Sequence, residues 1–377
     1  MVKETPPVPE ALPLTIDDFL RDDFLSDNPL SEPDAQSRSA HLSPILDVRS
    51  PGEFEQGHIP GAISFPLFSN DERAQIGTCY KKKSREHAVE LGFDLAGPKF
   101  GEMIRAAKAL APNRTVRVHC WRGGMRSGSV AWMLNLAGFQ TLTLQGGYKA
   151  FRQWVRRTVA TPKNIVLLGG MTGTAKTDIL HALAAQGEQT LDLEGYANHR
   201  GSSYGAVCLP PQPSTEHFEN LIAMQWATFD TQRPVWVEAE SRRVGPCRVP
   251  AELFEQMEAA FALEITRPVS ERLELLVDIY GQADPEELVA ATERIRKRLG
   301  GDRTQAAIAH IRQGDLTSAV TITLDYYDRT YRYGLEKRDR PVPEVDVTGL
   351  SPEQAAQQLR QTLDSKLTAP ARHSTLQ

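Results

Sequence analysis

Cys120 lies in the run His119-Cys120-Trp121-Arg122-Gly123-Gly124-Met125-Arg126-Ser127, directly after the apolar stretch at residues 115–118. The pattern reads as a strand that ends, a cysteine that opens a tight glycine-bearing loop, and a helix that begins near Arg126. Loop amides and a helix N-terminus then converge on the sulfur, which favours a thiolate or an anion beside it. Such geometry suits a nucleophilic cysteine, with Arg122, Gly123, Gly124 and Arg126 gripping the anion, and the expectation is an enzyme. The bland alternative is an inert core cysteine. A Gly-Gly turn followed by a helix start argues against that, although Arg126 can equally serve to cap structure.

A second chemical motif begins fifty residues later. Gly170-Met171-Thr172-Gly173-Thr174-Ala175-Lys176-Thr177 nearly spells the phosphate-binding loop G-x-x-x-x-G-K-[ST]. Loop amides can cradle phosphate oxygens, Lys176 can neutralise them, and Thr177 can ligate Mg2+. Gly170, Gly173, Lys176 and Thr177 are therefore the candidate diphosphate ligands. Ala175 stands where the motif has glycine, and its β-carbon restricts positive φ and close backbone approach. That substitution bears more on nucleotide hydrolysis than on diphosphate binding. Glu238 and Glu240 follow an apolar strand at 235–237, where they can hold Mg2+ or a water or act as acid or base; a solvated strand end is the alternative. His199, Arg200 and Ser202 follow another strand of the same region. In a doubly wound sheet such loops line the ligand crevice, and a cationic loop there suits an anionic substrate. A plain surface loop is the competing reading.

The elements around these motifs alternate. Strands are expected at 45–48, 62–65, 115–118 and 141–144, with helices at 100–110 and 126–136, the latter burying Val130, Met133, Leu134 and Ala137 on one face. After residue 161 the pattern repeats without sequence similarity. Strands are expected at 164–168, 190–193, 235–237 and 263–266, and a helix at 176–185. Strand–helix alternation of this kind gives parallel sheets covered on both faces. The fold class is α/β, with two such domains at 15–158 and 161–268, the second extended by helices at 269–367. The Pro-rich residues 1–14 and the tail at 368–377 read as disordered, and 26–43 as a loop.

Composition sets limits. The 377 residues leave room for two ordinary domains, and 24% charged with 40% hydrophobic residues is ordinary for a soluble chain. No stretch approaches a membrane span, and the N-terminus lacks the apolar core of a signal peptide. Cys79, Cys120, Cys208 and Cys247 show no metal-ligand spacing, so neither structural metal nor a disulfide framework is expected. A cytoplasmic protein with one working thiol is the expectation. The net charge of −5 argues weakly against nucleic-acid binding, yet it averages over basic clusters at 81–85, at Arg152, Arg156 and Arg157, and at Arg294, Arg296, Lys297 and Arg298. Taken singly, each cluster reads as a solvated helix face.

The His-Cys-x-x-Gly-x-x-Arg-Ser spelling is shared by cysteine phosphatases and by rhodanese-type sulfurtransferases. Ile45-Leu46-Asp47-Val48-Arg49-Ser50, Glu53-Phe54 and Gly57-His58-Ile59-Pro60-Gly61-Ala62-Ile63 resemble the first rhodanese signature, and Leu144-Gln145-Gly146-Gly147-Tyr148 with Trp154 resembles that family's closing segment. The order of the three matches favours rhodanese, and Asp47, Arg49 and Glu53 are assigned to its scaffold. A rhodanese domain fused to a phosphate-loop domain, together with the strings Leu193-Glu194-Gly195-Tyr196-Ala197-Asn198-His199-Arg200-Gly201-Ser202-Ser203 and Val237-Glu238-Ala239-Glu240-Ser241-Arg242-Arg243-Val244-Gly245, resembles the bacterial tRNA 2-selenouridine synthases. Asp325-Tyr326-Tyr327-Asp328-Arg329-Thr330-Tyr331 is similar to that family's tyrosine-rich segment.

The resemblance implies a transferase that replaces the 2-sulfur of 5-substituted 2-thiouridine, at the wobble position of tRNAs for Lys, Glu and Gln, with selenium from selenophosphate. It also implies transfer of a geranyl group from geranyl diphosphate to that sulfur, the S-geranyl nucleoside being the intermediate. Cys120 matches the family's essential cysteine. The implied co-substrates are selenophosphate and geranyl diphosphate, with Mg2+ as an accessory and no tightly bound cofactor; the implied partners are tRNA and an enzyme that supplies selenophosphate. Tyr326, Tyr327 or Tyr331 can stack on a splayed base, though tyrosines at helical spacing more often pack a core. Three other readings remain: a sulfurtransferase with an accessory nucleotide-binding domain, a tRNA-binding protein with vestigial motifs, and a phosphatase acting through residues 119–127.

Overall fold

The structure, a computed structural model, describes residues 10–24, 43–335 and 342–368. Residues 1–9 of the expected disordered N-terminus, 26–42 of the expected loop at 26–43 and 369–377 of the expected tail at 368–377 lie outside the described residues, while Thr368 ends the last helix. Two compact units divide the chain after Ala160, and the segment Ser214–Thr228 belongs to the first of them.

Unit 1 is built on a parallel sheet of β1 (Leu12–Leu14), β2 (Ile45–Asp47), β3 (Ile63–Ser64), β4 (Thr115–His119) and β5 (Gln140–Leu144), in the order β1-β5-β4-β2-β3. Its helices are α1 (Ile16–Phe24), α2 (Pro51–Gln56), α3 (Asn70–Lys82), α4 (Arg85–Ala96), α5 (Phe100–Leu110), α6 (Met125–Leu136) and α7 (Gly147–Ala160). Central β4 is buried through its last four residues, as a strand covered on both faces must be. Leu46, Val118, Val130 and Leu134 meet in the core beside it. Residues 12–14, expected within a disordered N-terminus, instead form β1 against β5. Pro13 is tolerated there because β1 is an edge strand, where a missing N–H interrupts no ladder.

Asp47 and Arg49 form the scaffold pair expected of them. Arg49 donates from Nε to Asp47 Oδ1 at 3.0 Å and from a terminal nitrogen to Gly57 O at 2.6 Å, and its guanidinium lies 3.7 Å from the centre of the Tyr148 ring. Both side chains are fully enclosed.

Unit 2 is a second parallel sheet of β6 (Asn164–Gly170), β7 (Gln189–Leu191), β8 (Pro234–Glu238), β11 (Phe261–Thr266) and β12 (Glu344–Asp346), ordered β12-β11-β6-β8-β7. Helices α8 (Lys176–Ala185) and α9 (Leu193–Ala197) follow β6 and β7. The chain then contributes α10 (Thr215–Thr228) to unit 1, where Asn220 and Glu216 bond the Tyr148 hydroxyl at 2.8 and 2.9 Å. It returns to unit 2 for β8, a small hairpin of β9 (Arg243–Val244) and β10 (Cys247–Arg248), and α11 (Ala251–Ala259). The extension after β11 comprises α12 (Val269–Tyr280), α13 (Pro285–Arg294), α14 (Arg296–Leu299), α15 (Gly301–Arg312), α16 (Leu316–Leu335) and α17 (Pro352–Thr368). It is not wholly helical, since β12 returns to extend the sheet beside β11; three residues are too few to show an alternation in sequence.

No helix among the described residues is long and apolar enough to cross a membrane. Replacing Arg49 with alanine would leave Asp47 buried without its counter-charge, a change that costs about 3–5 kcal/mol. Hydrogen exchange of the β4 amides should register that loss; unchanged protection would show that the pair is dispensable.

Candidate functional site

The thiol loop of unit 1 is held by backbone meeting backbone. Tyr148 and Lys149 donate their amides to the carbonyls of Cys120 and Trp121 at 2.8 and 3.0 Å, so the start of α7 clamps the loop. Gly147 makes this possible. It has φ +60°, and a β-carbon there would lie 2.4 Å from Cys120 O and 2.5 Å from Gly123 N, so only glycine fits. The closing signature is therefore a seat for the cysteine loop.

Cys120 is buried, with its sulfur 3.2 Å from Ser127 Oγ in the first turn of α6. Burial alone would push its thiol up. The Ser127 side chain and amide, with the amides of Arg122 and Gly124, outweigh that and hold it below the usual thiol range. Cys247, buried without such donors, is pushed up to about 11. Arg126 is already bound: its two terminal nitrogens donate to the Glu53 carboxylate at 2.7 and 3.3 Å. Glu53 thus belongs to the arginine's setting as well as to the scaffold. Arg122 is exposed, which leaves it the readier cation for an incoming anion.

In unit 2, β6 runs into the glycine-rich loop and α8 starts at Lys176. Ala175 takes the left-handed conformation in spite of its β-carbon, with φ 65° and ψ 34°. The substitution is accommodated at a strain of about 1–2 kcal/mol, and the loop keeps its turn. Lys176 Nζ donates to Gly170 O at 2.8 Å and to Met171 O at 3.4 Å, so the ammonium lies over the loop. Gly170, Gly173, Lys176 and Thr177 all line a cleft of about 1040 Å³ at the C-terminal ends of the strands, where Arg200, Ser202 and Glu240 also face inward. His199 and Glu238 are not in its wall; both are buried behind it. Burial raises the Glu194 carboxyl, and the charges of Glu238 and Glu240 raise it further. Burial likewise raises Glu238, against the pull of Lys176.

The loop is braced by residues that its own sequence does not reveal. Arg272 of α12 is buried; it donates from Nε to Thr172 O at 2.8 Å and pairs with Asp328 of α16. The Tyr331 hydroxyl accepts from Gly170 N and donates to Glu264 Oε2, both at 2.8 Å. The Tyr327 hydroxyl accepts from Ser203 N at 3.1 Å. The hydroxyls of Tyr327 and Tyr331 in the tyrosine-rich segment are thus engaged in fixing the cleft loops from one helix. Among the basic clusters, Arg152 is bound by Asn220 and Glu219, and Arg294 by Ser203 O, whereas Arg298 faces the cleft.

Comparison with known families decides between the readings. Residues 163–363, more than half of the chain, match the tRNA 2-selenouridine synthase AAA domain, and residues 30–153 match the rhodanese-like domain. The chain belongs to the tRNA 2-selenouridine synthase family. It is thus a tRNA-modifying enzyme with tRNA as its substrate, and the match at 30–153 favours the rhodanese reading of residues 119–127. Among solved structures, the crystal structure of the N-terminal domain of a protein described as ATP/GTP-binding, from Clostridium difficile 630, is 39% identical over 32% of this chain and 95% of that chain, with a TM-score of 0.29.

In this synthase-family chain the Cys120 thiol should ionise below the ordinary value of 9.0. Ser127→Ala removes one hydrogen bond to the thiolate, a contact of about 1.5 kcal/mol, so the midpoint should rise by about one pH unit. Thiolate absorbance against pH, with Cys120→Ser as the blank, measures both; an ordinary midpoint insensitive to Ser127 would refute the loop's role.

Proposed function

We propose that the protein converts wobble 5-substituted 2-thiouridine in tRNAs for Lys, Glu and Gln to 2-selenouridine in two steps, each centred on one of the two anion loops. The observation that carries this reading is the division of equipment. Unit 1 has an early-ionising thiol in an amide-rich loop, and unit 2 has a lysine-bearing phosphate loop opening on a large cleft.

The first step is S-geranylation. The thiocarbonyl sulfur attacks C1 of geranyl diphosphate, the C–O bond breaks, and the N3 proton is released as the alkylated base becomes neutral. Sulfur is a soft nucleophile that needs little activation, so the barrier lies in the departing diphosphate. Lys176 and the first amides of α8 would stabilise that developing charge. An arriving diphosphate exchanges the ammonium's contacts with Gly170 O and Met171 O for contacts with its own oxygens. Mg2+, when bound, would neutralise further phosphate charge; the orphaned carboxylate of Glu238 near Thr177 fits such an ion.

The second step is selenation. Alkylation has turned a poor leaving group into geranylthiolate. Selenium from selenophosphate, delivered by an enzyme that makes it, adds at C2 next to Cys120, the C2–S bond breaks, and water releases phosphate from selenium. The loop amides and Arg122 supply the anion grip for selenophosphate.

Purified protein with 2-thiouridine tRNA, geranyl diphosphate and selenophosphate, each omitted in turn, tests this by mass spectrometry of the nucleosides. Lys176→Ala should cut geranylation by about 100-fold. Cys120→Ala should geranylate normally and accumulate S-geranyl nucleoside without selenium. Intact geranylation in Lys176→Ala would refute the assignment, and thiosulfate turnover without any tRNA requirement would favour a sulfurtransferase.

A further inference from the structure

Unit 1 carries an apolar groove of about 170 Å³, bounded by α3, α4 and the first turns of α6. Phe68, Ala88 and Ala96 are buried in its floor, while Tyr80, Phe93 and Met125 stand around it 59%, 54% and 52% exposed. The helices that enclose it bury little of themselves. α3 runs for 13 residues without a buried one, and α4 buries only Ala88 and Ala96. A surface helix normally lays its apolar residues against the core. Here part of them lines an open groove, and apolar surface left uncovered in this way marks a binding site.

The groove begins where the thiol loop ends. Met125 and Arg126 open α6, and Ser127 beside them holds the Cys120 sulfur. Phe68 and Ala96 belong to the buried cluster that contains Cys120. An occupant of the groove therefore lies next to whatever reacts at that sulfur. The lining offers little to a polar occupant, because Arg126 is already bound by Glu53. Cations instead mark one end, where Lys81, Lys82, Lys83 and Arg85 are all exposed. An apolar slot edged by cations suits an apolar group carried on a polyanion. A second copy of the chain would bring two such basic clusters together, which like-charge repulsion opposes.

We infer that the groove holds the geranyl chain of S-geranyl-2-thiouridine while C2 of the base lies at Cys120, with the basic cluster toward the RNA backbone. The space is room for about a dozen waters, enough for a branched ten-carbon chain. The identity of the chain rests on the two-step reading given above; the presence of an apolar-chain site beside the thiol loop rests on the groove.

The affinity of full-length protein for tRNA carrying S-geranyl-2-thiouridine is compared by filter binding with that for tRNA carrying S-methyl-2-thiouridine, without selenophosphate. Each buried methylene is worth about fourfold, so even partial burial should give the wild type a preference of about tenfold or more for the geranyl form. Ala88→Phe, which fills the floor, and Phe93→Asp, which puts a charge on the wall, should each reduce the ratio of affinities to about one. Should Ala88→Phe fail to fold, Phe93→Asp, at an exposed position, carries the test. Leu136→Asp replaces an apolar residue of α6 that is 59% exposed and outside the groove, and should keep the wild-type ratio. A ratio of one in the wild type overturns the inference, and so does a wild-type ratio in the folded groove variants, which would place the chain elsewhere. A wild-type dimer that Phe93→Asp separates without changing the ratio would make the groove an interface and overturn it equally. Because affinity is read and no product, the two proposals fail separately: a protein that prefers S-geranyl tRNA but never selenates it keeps the groove and loses the two-step reading.

Discussion

The first amides of an α-helix have no carbonyl to pair with, and in both units such a helix starts one short loop after an interior parallel strand. Those unpaired donors must meet water, a side chain or an anion. In unit 1 they face the Cys120 sulfur, where the Ser127 hydroxyl and amide, with the Arg122 and Gly124 amides of the loop, outweigh the effect of burial on the thiol. In unit 2 they open onto the cleft that Lys176 overhangs. The remaining structure holds these two helix starts in place.

The two loops achieve that rigidity by different means. The thiol loop is pinned by close backbone packing, in which Gly147 puts no side-chain atom between its own backbone and that of residues 120–123. The phosphate loop is pinned by long-range polar contacts, with Arg272, Asp328 and Tyr331 reaching it from the helical extension. Arg272 is buried and its partner Asp328 nearly so, which makes this brace sensitive to loss of either member. The extension after β11 is therefore part of the site's construction. Tyr327, from the same helix, fixes the loop that carries Arg200 and Ser202, so α16 sets two walls of the cleft together.

The sequence was most legible where chemistry and spacing are local. The Cys120 loop, the phosphate loop and their flanking strands each occupy fewer than twenty consecutive residues, and the structure builds them near the expected positions. The α/β class followed from alternating elements and was equally plain. What was not legible depends on distant segments converging. Glu194 carried no spacing signal toward Glu238, since β8 and α9 are joined through a helix that belongs to the other unit. Nothing in the apolar pattern of Thr215–Thr228 announces that its partner is Tyr148 of unit 1. The edge strands β1 and β12 were hidden because three-residue strands show no period, and one of them contains proline. His199 lay in the right string, yet the fold turns it inward while Arg200 and Ser202 face the cleft.

The central claim is that the two loops perform separable steps, and supplying the intermediate tests it most directly. tRNA already carrying S-geranyl-2-thiouridine is given with selenophosphate to Lys176→Ala and to Cys120→Ala, and 2-selenouridine is followed by mass spectrometry. The account predicts that Lys176→Ala forms 2-selenouridine at the wild-type rate while Cys120→Ala forms none. Failure of Lys176→Ala on this substrate would contradict the division of labour, and so would turnover by Cys120→Ala.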